Sequence, residues 1–289
     1  MRGTSHTMRQ LLLVLALLRP ALLQETCSST KDQTDCSAEP ENNFKAAVKT
    51  VLVTGGSGFV AHHLVETILD TTDWNVVSLD RLDLSGRINR LEQVLASREK
   101  DRRRVRVIYA DLRAEINGQL AKDIGPVQVI LHLAAGANVD RSIERPLEFV
   151  MDNTVATVNM MEFARKHHPD LDRFIYLSTA EVFGPAPQGV THTEYDRYNS
   201  GNPYAAAKVG TITITVTIKY NALCFITIQA AAEEFAVAYE NTYKMPIVVV
   251  HTMNVFGERQ LPSKFIPKVL NSVMEGKEVS CYFHILCSS

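Results

Sequence analysis

The stretch over residues 44–208 contains no cysteine, although the 289-residue chain has five. Such a stretch holds no disulfide framework, no thiol nucleophile and no cysteine spacing for zinc, so we predict no metal site. An excess of one charge is also missing, since the formal net charge is −2. A nearly neutral chain gives no reason to expect nucleic acid or an anionic membrane as a partner.

Long apolar runs are scarce as well, so we predict no stable membrane span. The run at residues 11–18 is too short to cross a bilayer, and Arg19 interrupts it. With arginines before it, this run predicts a cleavable signal peptide over residues 1–24 and a location in the endoplasmic reticulum or Golgi lumen. A shorter native start would make the protein cytoplasmic. Residues 25–44 are polar and lack periodicity, which predicts a disordered linker.

The most informative motif, at residues 51–61, is an apolar strand that runs into three glycines and an amphipathic helix. Glycines let the backbone approach a ligand, and a helix start presents free N–H groups and a partial positive charge. The next strand ends in Asp80, 22 residues after Gly58, where a dinucleotide-binding βαβ unit places its ribose-binding acid. Asp80 would repel a 2′-phosphate, which favours NAD over NADP, although Arg81 leaves that preference open.

Strands alternate with helices along the chain, which predicts a doubly wound, parallel α/β sheet. Further strands are predicted at residues 105–109, 127–133, 173–178 and 245–251. The strand at 127–133 leads into Ala134, Ala135 and Gly136, small residues that allow a cofactor to approach closely. His132 inside this strand is interpreted as a packed core residue rather than a base.

Residues 209–229 do not fit this alternation. The segment is β-branched, has Lys219 as its one charged residue, and interrupts a helical pattern that resumes at Ala230. Joining Lys208 to Ala230 restores a continuous helix, so we hypothesise a retained intron of whole codons; the alternative is a genuine β-hairpin insert. The uncharged tail at residues 280–289 is interpreted as aberrant in the same way. A transcript read across both junctions distinguishes these alternatives.

Tyr204 and Lys208 are four residues apart, so on a helix they lie on one face, one turn apart. An ammonium beside a phenol lowers the pKa of the phenol and favours a phenolate that takes a proton from a substrate hydroxyl. Thr179 and Glu181 follow a predicted strand end, from which a hydroxyl and a carboxylate reach the same site. These four residues are the predicted catalytic group.

Together these motifs resemble the extended short-chain dehydrogenase/reductases and, within them, the NAD-dependent epimerase/dehydratase family of the dTDP-glucose 4,6-dehydratase type. The resemblance lies in the glycine turn at residues 54–59, the strand end at 178–184, and Tyr204 with Lys208. Residues 139–143 resemble a stretch more specific to dehydratases than to epimerases or decarboxylases. The resemblance implies a Rossmann domain over residues 45–279 with a truncated carboxy-terminal substrate domain.

The resemblance also implies roles for particular residues. Thr179, Glu181, Tyr204 and Lys208 would be catalytic, and Thr179 and Asn254 would bind substrate. The implied NAD site consists of Gly55, Gly58, Phe59, Val60, Asp80, Asp111, Leu112, Leu133, Ala134, Ala135, Asn153, Tyr204 and Lys208. The implied partners are a nucleotide-sugar substrate and a second copy of the chain, in a homodimer.

The implied reaction is an internal redox cycle in which NAD ends as it began. Tyr204 would remove the proton of the sugar C4 hydroxyl, Glu181 would remove the C5 proton, and water would leave from C6. Ala180 departs from the dehydratase pattern, in which an Asp protonates the leaving hydroxyl; losing a general acid costs about 10²–10⁴ in rate. A nucleotide-sugar epimerase or decarboxylase, which needs no such acid, and a truncated, inactive NAD-binding protein are the alternatives.

Overall fold

The computed structural model describes residues 48–83, 85–186, 189–193, 196–209, 211–213, 227–229 and 232–277. The predicted signal peptide (1–24), the predicted linker (25–44) and the predicted aberrant tail (280–289) lie outside the described residues. Within the described ranges, no helix combines the length and the apolar character that are needed to cross a bilayer.

A parallel sheet forms the centre of the fold. The strands are β1 (Thr50–Thr54), β2 (Asn75–Asp80), β3 (Val105–Tyr109), β4 (Val129–His132), β5 (Arg173–Thr179), β6 (Thr211–Thr213), β7 (Thr227–Gln229) and β8 (Ile247–Thr252). Six of them pair in parallel in the order β3-β2-β1-β4-β5-β8. This order confirms the predicted doubly wound α/β sheet and places its switch point between β1 and β4, where such sheets bind ligands outside the carboxyl ends of their strands.

Helices connect the strands. They are α1 (Phe59–Thr71), α2 (Ile88–Ala96), α3 (Gly118–Ile124), α4 (Val139–Glu144), α5 (Pro146–Phe149), α6 (Ala156–His167), α7 (Pro203–Val209), α8 (Ala232–Tyr243) and α9 (Phe265–Met274). A π-helix, Val150–Val155, joins α5 to α6, and 3₁₀-helices occupy Glu99–Arg104 and Ala180–Phe183. Helices therefore pack against the central strands on both faces of the sheet.

The hydrophobic core is divided by the sheet into two buried clusters. One cluster contains Leu52 of β1 and Met160 of α6, and the other contains Val53 of β1 and Ile68 of α1. Neighbouring residues of a strand point to opposite faces, so the covered sheet needs apolar residues at nearly every strand position. The strands meet this requirement, and their carboxyl ends are held in a fixed arrangement.

One predicted strand is shorter than expected. The strand predicted at residues 127–133 is observed as β4, Val129–His132. The N–H groups of Leu133 and Ala134 donate to the Thr54 hydroxyl, at 3.2 and 3.1 Å, so the chain leaves the ladder at this point. The difference bears on function, because these residues begin the loop beside the cleft.

The segment at residues 209–229 is described only at its two ends. There β6 and β7 pair antiparallel, with Thr211 opposite Gln229 and Thr213 opposite Thr227. The chain therefore leaves the end of α7 and returns to the start of α8 at one place, and α7 packs against α8. This pairing is what the hairpin alternative predicts; the intron hypothesis concerns the transcript and stays a prediction.

Buried histidines predict that the protein loses stability in mild acid. His62 and His132 have no exposed area, and burial lowers the pKa of His62 to about 4 and that of His132 to about 3. Between these values and the ordinary value near 6.5, the unfolded chain binds more protons than the folded chain, so stability present above pH 6.5 is lost as the pH falls. Each histidine should cost about 1.4 kcal/mol per pH unit in this window.

Urea unfolding between pH 7.5 and pH 5 measures this dependence. We expect His132→Gln to reduce the slope by about one bound proton, or about 1.4 kcal/mol per pH unit. A free energy of unfolding that does not change between pH 6.5 and pH 5 would contradict the assignment.

Candidate active site

The glycine turn after β1 packs directly on the loop after β4. Gly55 has φ = +67°, a left-handed conformation that favours glycine, and a Cβ there would lie 2.9 Å from the Cα of Ala134. Any larger residue would therefore strain the backbone and push the two segments apart. The turn ends at Gly58, which precedes α1 and provides no side-chain cap. The first N–H groups of α1, at Phe59 and Val60, have no partner within the helix.

The predicted cofactor residues lie together in large part. One cleft opens to solvent and holds about 580 Å³ of space, open solvent included. Its lining includes Gly55, Gly58, Asp80, Asp111, Leu112, Leu133, Ala134 and Ala135. The residues predicted with them that do not line it are Phe59, Val60, Asn153, Tyr204 and Lys208. The cleft thus brings together the ends of β1, β2, β3 and β4.

Asp80 lies at the end of β2 and faces the glycine turn. Its carboxylate accepts hydrogen bonds from the N–H groups of Ser57, at 3.0 Å, and Leu82, at 2.8 Å. Burial raises the pKa of Asp80, and these two hydrogen bonds oppose the rise. A carboxylate has about four lone-pair sites, so it keeps acceptor capacity for hydroxyl groups of a ligand.

Arg81 is fully engaged by neighbouring carboxylates. Its guanidinium donates two hydrogen bonds to Asp152, at 2.6 and 2.8 Å, and a further one of 2.8 Å to Asp83. The hydrogen bond with Asp152 is the main cause that raises the pKa of Arg81. A side chain held in this way is not free to bind a 2′-phosphate, so the geometry favours the nucleotide without one.

Asn153 has a partner within the chain. It is fully buried in the π-helix, accepts from the N–H of Gly136 at 2.7 Å and donates to the carbonyl of Gly136 at 3.1 Å. Its amide therefore holds the far end of the loop after β4. A direct contact of Asn153 with the cofactor stays a prediction.

The end of β5 carries the predicted catalytic group. Thr179 is the last residue of β5, and Glu181 follows in a 3₁₀-helix. The Tyr204 phenol lies close enough to Thr179 and Glu181 for both side chains to influence its ionisation. The structure therefore brings Thr179, Glu181 and Tyr204 together, as predicted.

The pKa of Tyr204 departs from the expectation of a lowered value. Burial and the negative charge of Glu181 raise it to about 12, and the Thr179 side chain opposes the rise. Lys208 is not among the groups that shift it. In the protein alone, Tyr204 is therefore a protonated phenol, and the predicted lowering by Lys208 is wrong for this state.

Lys208 is placed beneath the strand end. It is almost fully buried, its Nζ donates to the carbonyl of Leu177 at 3.0 Å, and it lies 4.8 Å from the ring centroid of Tyr176. Burial lowers the pKa of Lys208 to about 8, and the negative charge of Glu233 opposes this. At pH 7 most of the lysine is therefore still an ammonium.

Asn254 lies on the loop after β8, at the same edge of the sheet as Thr179. Its side chain is exposed. Lys264 approaches this edge from the start of α9 and donates to the carbonyl of Ala137 at 2.7 Å. Burial lowers the pKa of Lys264, and the charges of Glu181 and Asp140 oppose that shift. This edge of the sheet thus presents polar groups at the ends of β5 and β8.

A family model described as GDP-mannose 4,6 dehydratase matches residues 52–229, more than half of the chain. The chain belongs to this family. A second model, the NAD dependent epimerase/dehydratase family, matches residues 224–284. The resemblance seen in the sequence motifs is confirmed.

Individual members of the family are similar to the chain over part of their length. The dTDP-D-glucose 4,6-dehydratase of Mus musculus is 31% identical over 240 residues, which cover 82% of this chain and 58% of the relative. The dTDP-glucose 4,6-dehydratase 1 of Escherichia coli (strain K12) is 31% identical over a match that covers 80% of this chain and 62% of the relative. A crystal structure of a dTDP-glucose 4,6-dehydratase from Streptomyces venezuelae, with NAD and TYD bound, has a TM-score of 0.64 at 29% identity, with 78% and 62% covered. The chain thus spans about three fifths of the length of these relatives.

Two residues of this dehydratase-family site were not among the predicted site residues. Asn202 caps α7 by accepting from the N–H of Ala205 at 2.8 Å, and it donates to the Glu181 carboxylate at 3.0 Å. An Asn directly before Pro203 is a helix-start signal, so its capping role is readable from the sequence. Its second bond, which orients Glu181, depends on the tertiary structure.

Glu233 is the second of these residues. It is buried in α8, accepts a short hydrogen bond from the Ser178 hydroxyl, and contacts Nε2 of His251 at 3.0 Å. It therefore ties α8 to the ends of β5 and β8 beneath the site. Its spacing from Ser178 and His251 along the chain gives no signal of this contact.

The charge of Glu181 should control the ionisation of Tyr204. We expect Glu181→Gln to lower the pKa of Tyr204 below its value of about 12, because a negative charge that opposes the phenolate is removed. NMR titration of tyrosine ring carbons, with Tyr204→Phe to assign the resonance, measures the change. Glu115→Gln, which removes an exposed carboxylate paired with Lys166, serves as control. An unchanged or higher pKa of Tyr204 would rule out this electrostatic coupling.

Proposed function

We propose that this chain carries the nucleotide-binding and catalytic part of an NAD-dependent nucleotide-sugar 4,6-dehydratase, a lyase. The observation that carries the proposal is the Tyr204 phenol beside Thr179 and Glu181, at the edge of the sheet that also forms the cleft. A proton acceptor and a carboxylate close to a nucleotide cleft suit removal of protons from neighbouring carbons of a sugar. Membership of the dehydratase family supports the same substrate class.

The residues of the cleft fit NAD. The glycine turn and the uncapped start of α1 suit the pyrophosphate, Asp80 suits the hydroxyls of the adenosine ribose, and the small side chains of Ala134 and Ala135 allow close approach. The guanidinium of Arg81 is engaged by Asp152 and Asp83 and is therefore not available to a 2′-phosphate. NAD supplies hydride acceptance and return when bound.

The chain's own residues supply the proton transfers. Tyr204, beside Thr179, would take the proton of the C4 hydroxyl, and Glu181 would then remove the proton from C5. Asn202 holds the carboxylate of Glu181 in place through its 3.0 Å hydrogen bond. Lys208, with a pKa of about 8, keeps a positive charge beneath the strand end at neutral pH.

Ala180 gives weight to a second function. It occupies the position between Thr179 and Glu181, and its methyl group can donate no proton to a leaving hydroxyl. A nucleotide-sugar epimerase or decarboxylase needs no such donor. These activities are therefore the alternative to dehydration, together with NAD binding without turnover.

Two further proposals concern assembly and location. The exposed apolar side chains of Leu147, Met151 and Val237 support pairing of two copies of the chain, which sedimentation of the purified protein would test.

The apolar run at residues 11–18 supports a secretory location, with the cytoplasm as the alternative for a shorter start. Microscopy of a carboxy-terminal fluorescent fusion would decide between them.

Replacing the phenol should separate binding from chemistry. We expect Tyr204→Phe to bind NAD within about threefold of the parent chain and to lose at least about 10² in the rate of 4-keto-sugar formation, because the proton acceptor is gone. Calorimetric titration with NAD and a keto-sugar assay with dTDP-glucose measure the two quantities. Tyr243→Phe, at a half-exposed position on α8, is the matched control.

The outcomes distinguish the candidate functions. Binding of NAD by the parent chain without any keto product argues against dehydration and leaves the epimerase, decarboxylase and inactive alternatives. Absence of NAD binding defeats both the dehydratase proposal and that alternative.

Supplying the missing acid should raise dehydration. We expect Ala180→Asp to increase formation of the dehydrated 4-keto product by about 10²–10⁴, the usual contribution of a general acid. Ala180→Asn has similar size and no acidic proton, so it should leave the rate near that of the parent. If Asp and Asn behave alike, water loss at C6 does not use an acid at this position, and the epimerase or decarboxylase alternative gains support.

A further inference from the structure

A buried hydrogen-bond chain lies directly behind the cleft. Thr54, His132 and Thr157 have no exposed area. Nδ1 of His132 lies 2.8 Å from the Thr54 hydroxyl, and Nε2 lies 2.9 Å from the Thr157 hydroxyl. The imidazole therefore spans from the end of β1 to the start of α6, with both ring nitrogens occupied by threonines.

The partners of Thr157 fix the direction of this chain at one end. The Thr157 hydroxyl has one proton, and it donates that proton to the backbone carbonyl of Asn153 at 2.5 Å. A carbonyl can only accept. Toward His132, therefore, Thr157 must act as acceptor, and Nε2 of the imidazole must carry a proton.

The partners of Thr54 give the same answer at the other end. The Thr54 hydroxyl oxygen accepts from the N–H groups of Leu133 and Ala134, which uses both of its lone pairs. Its own proton remains for Nδ1 of His132. The imidazole is thus neutral, with its proton on Nε2, and every donor in the chain has one acceptor.

The surroundings of His132 also disfavour a charged ring. The Tyr176 ring stacks on the imidazole at 5.8 Å, and the Lys208 ammonium lies 4.8 Å from the same Tyr176 ring. An imidazolium would bring a second buried cation close to Lys208 and a third donor to the Thr54 hydroxyl. Burial and the charge of Lys208 both lower the pKa of His132, to about 3.

The chain connects the two segments that line the cleft. Thr54 immediately precedes the glycine turn, and its hydroxyl holds the start of the loop after β4. Asn153, whose carbonyl accepts from Thr157, holds the other end of that loop through both bonds to Gly136. The loop is therefore fixed at both ends by groups that the imidazole joins.

We propose that His132 is a positioning residue, which acts as a neutral Nε2–H imidazole and sets the spacing between the glycine turn and the loop at residues 133–136. It touches neither cofactor nor substrate, since it has no exposed area and no free nitrogen. The consequence for NAD affinity rests on the proposed function; the tautomer and the fixation of the loop do not.

The first test is the tautomer of His132 in the unsubstituted chain. Nitrogen NMR of the imidazole, assigned with His132→Gln, should show a protonated Nε2 and an unprotonated Nδ1 from pH 8 to pH 5. A proton on Nδ1, or an imidazolium at pH 6, would overturn the proposal whatever any variant does.

The second test compares Thr157→Val, which keeps the shape and removes the hydroxyl, with Thr157→Ser, which keeps the hydroxyl. We expect the valine variant to weaken NAD binding about tenfold, the usual effect of one lost buried hydrogen bond, and the serine variant to stay within about twofold of the parent. The amides of Leu133 and Ala134 should exchange hydrogen faster in the valine variant only.

These measurements distinguish a failure of the positioning role of His132 from a failure of the proposed function. If the parent chain binds no NAD, the proposed function is wrong. The tautomer and the amide exchange still test whether His132 fixes the loop at residues 133–136. If the valine variant is too unstable to study, the serine variant and the tautomer decide. Equal NAD affinity and equal amide exchange in the valine variant and the parent would contradict the proposal.

Discussion

The contact between the glycine turn after β1 and the loop after β4 constrains the geometry of the whole site. Gly55 adopts a left-handed conformation, and even one added carbon there would lie 2.9 Å from the Cα of Ala134. The two segments belong to neighbouring parallel strands and line the same cleft. Their separation therefore sets the width of the cleft where a nucleotide would bind.

A buried polar network holds these segments from behind. The imidazole of His132 and the hydroxyls of Thr54 and Thr157 form hydrogen bonds with one another and with nearby backbone groups. The polar atoms of these three buried side chains are therefore all hydrogen-bonded. Such networks rigidify a core when they are complete, because loss of one member leaves a desolvated group behind. The loop can thus be made of small residues and still keep a defined position.

Buried charge governs the other half of the site. Lys208 and Glu233 are both buried beneath the end of β5, where the carboxylate opposes the loss of the ammonium's proton. Above the strand end, burial and Glu181 keep Tyr204 protonated. Added positive charge in the site, or a further hydrogen bond to the phenol oxygen, would favour the phenolate.

Much of this molecule was predictable from local sequence pattern. The alternation of strands and helices, the three glycines, Asp80, and the pair Tyr204 and Lys208 determined the fold class and the main members of the site, because periodicity and spacing act over a few residues. Tertiary structure alone decided that Arg81 pairs with Asp152, that Glu233 meets Ser178, and that Lys208 lies 4.8 Å from the ring centroid of Tyr176. These contacts join residues far apart in the chain, and their pKa effects depend on burial and on summed charge, which no local pattern encodes.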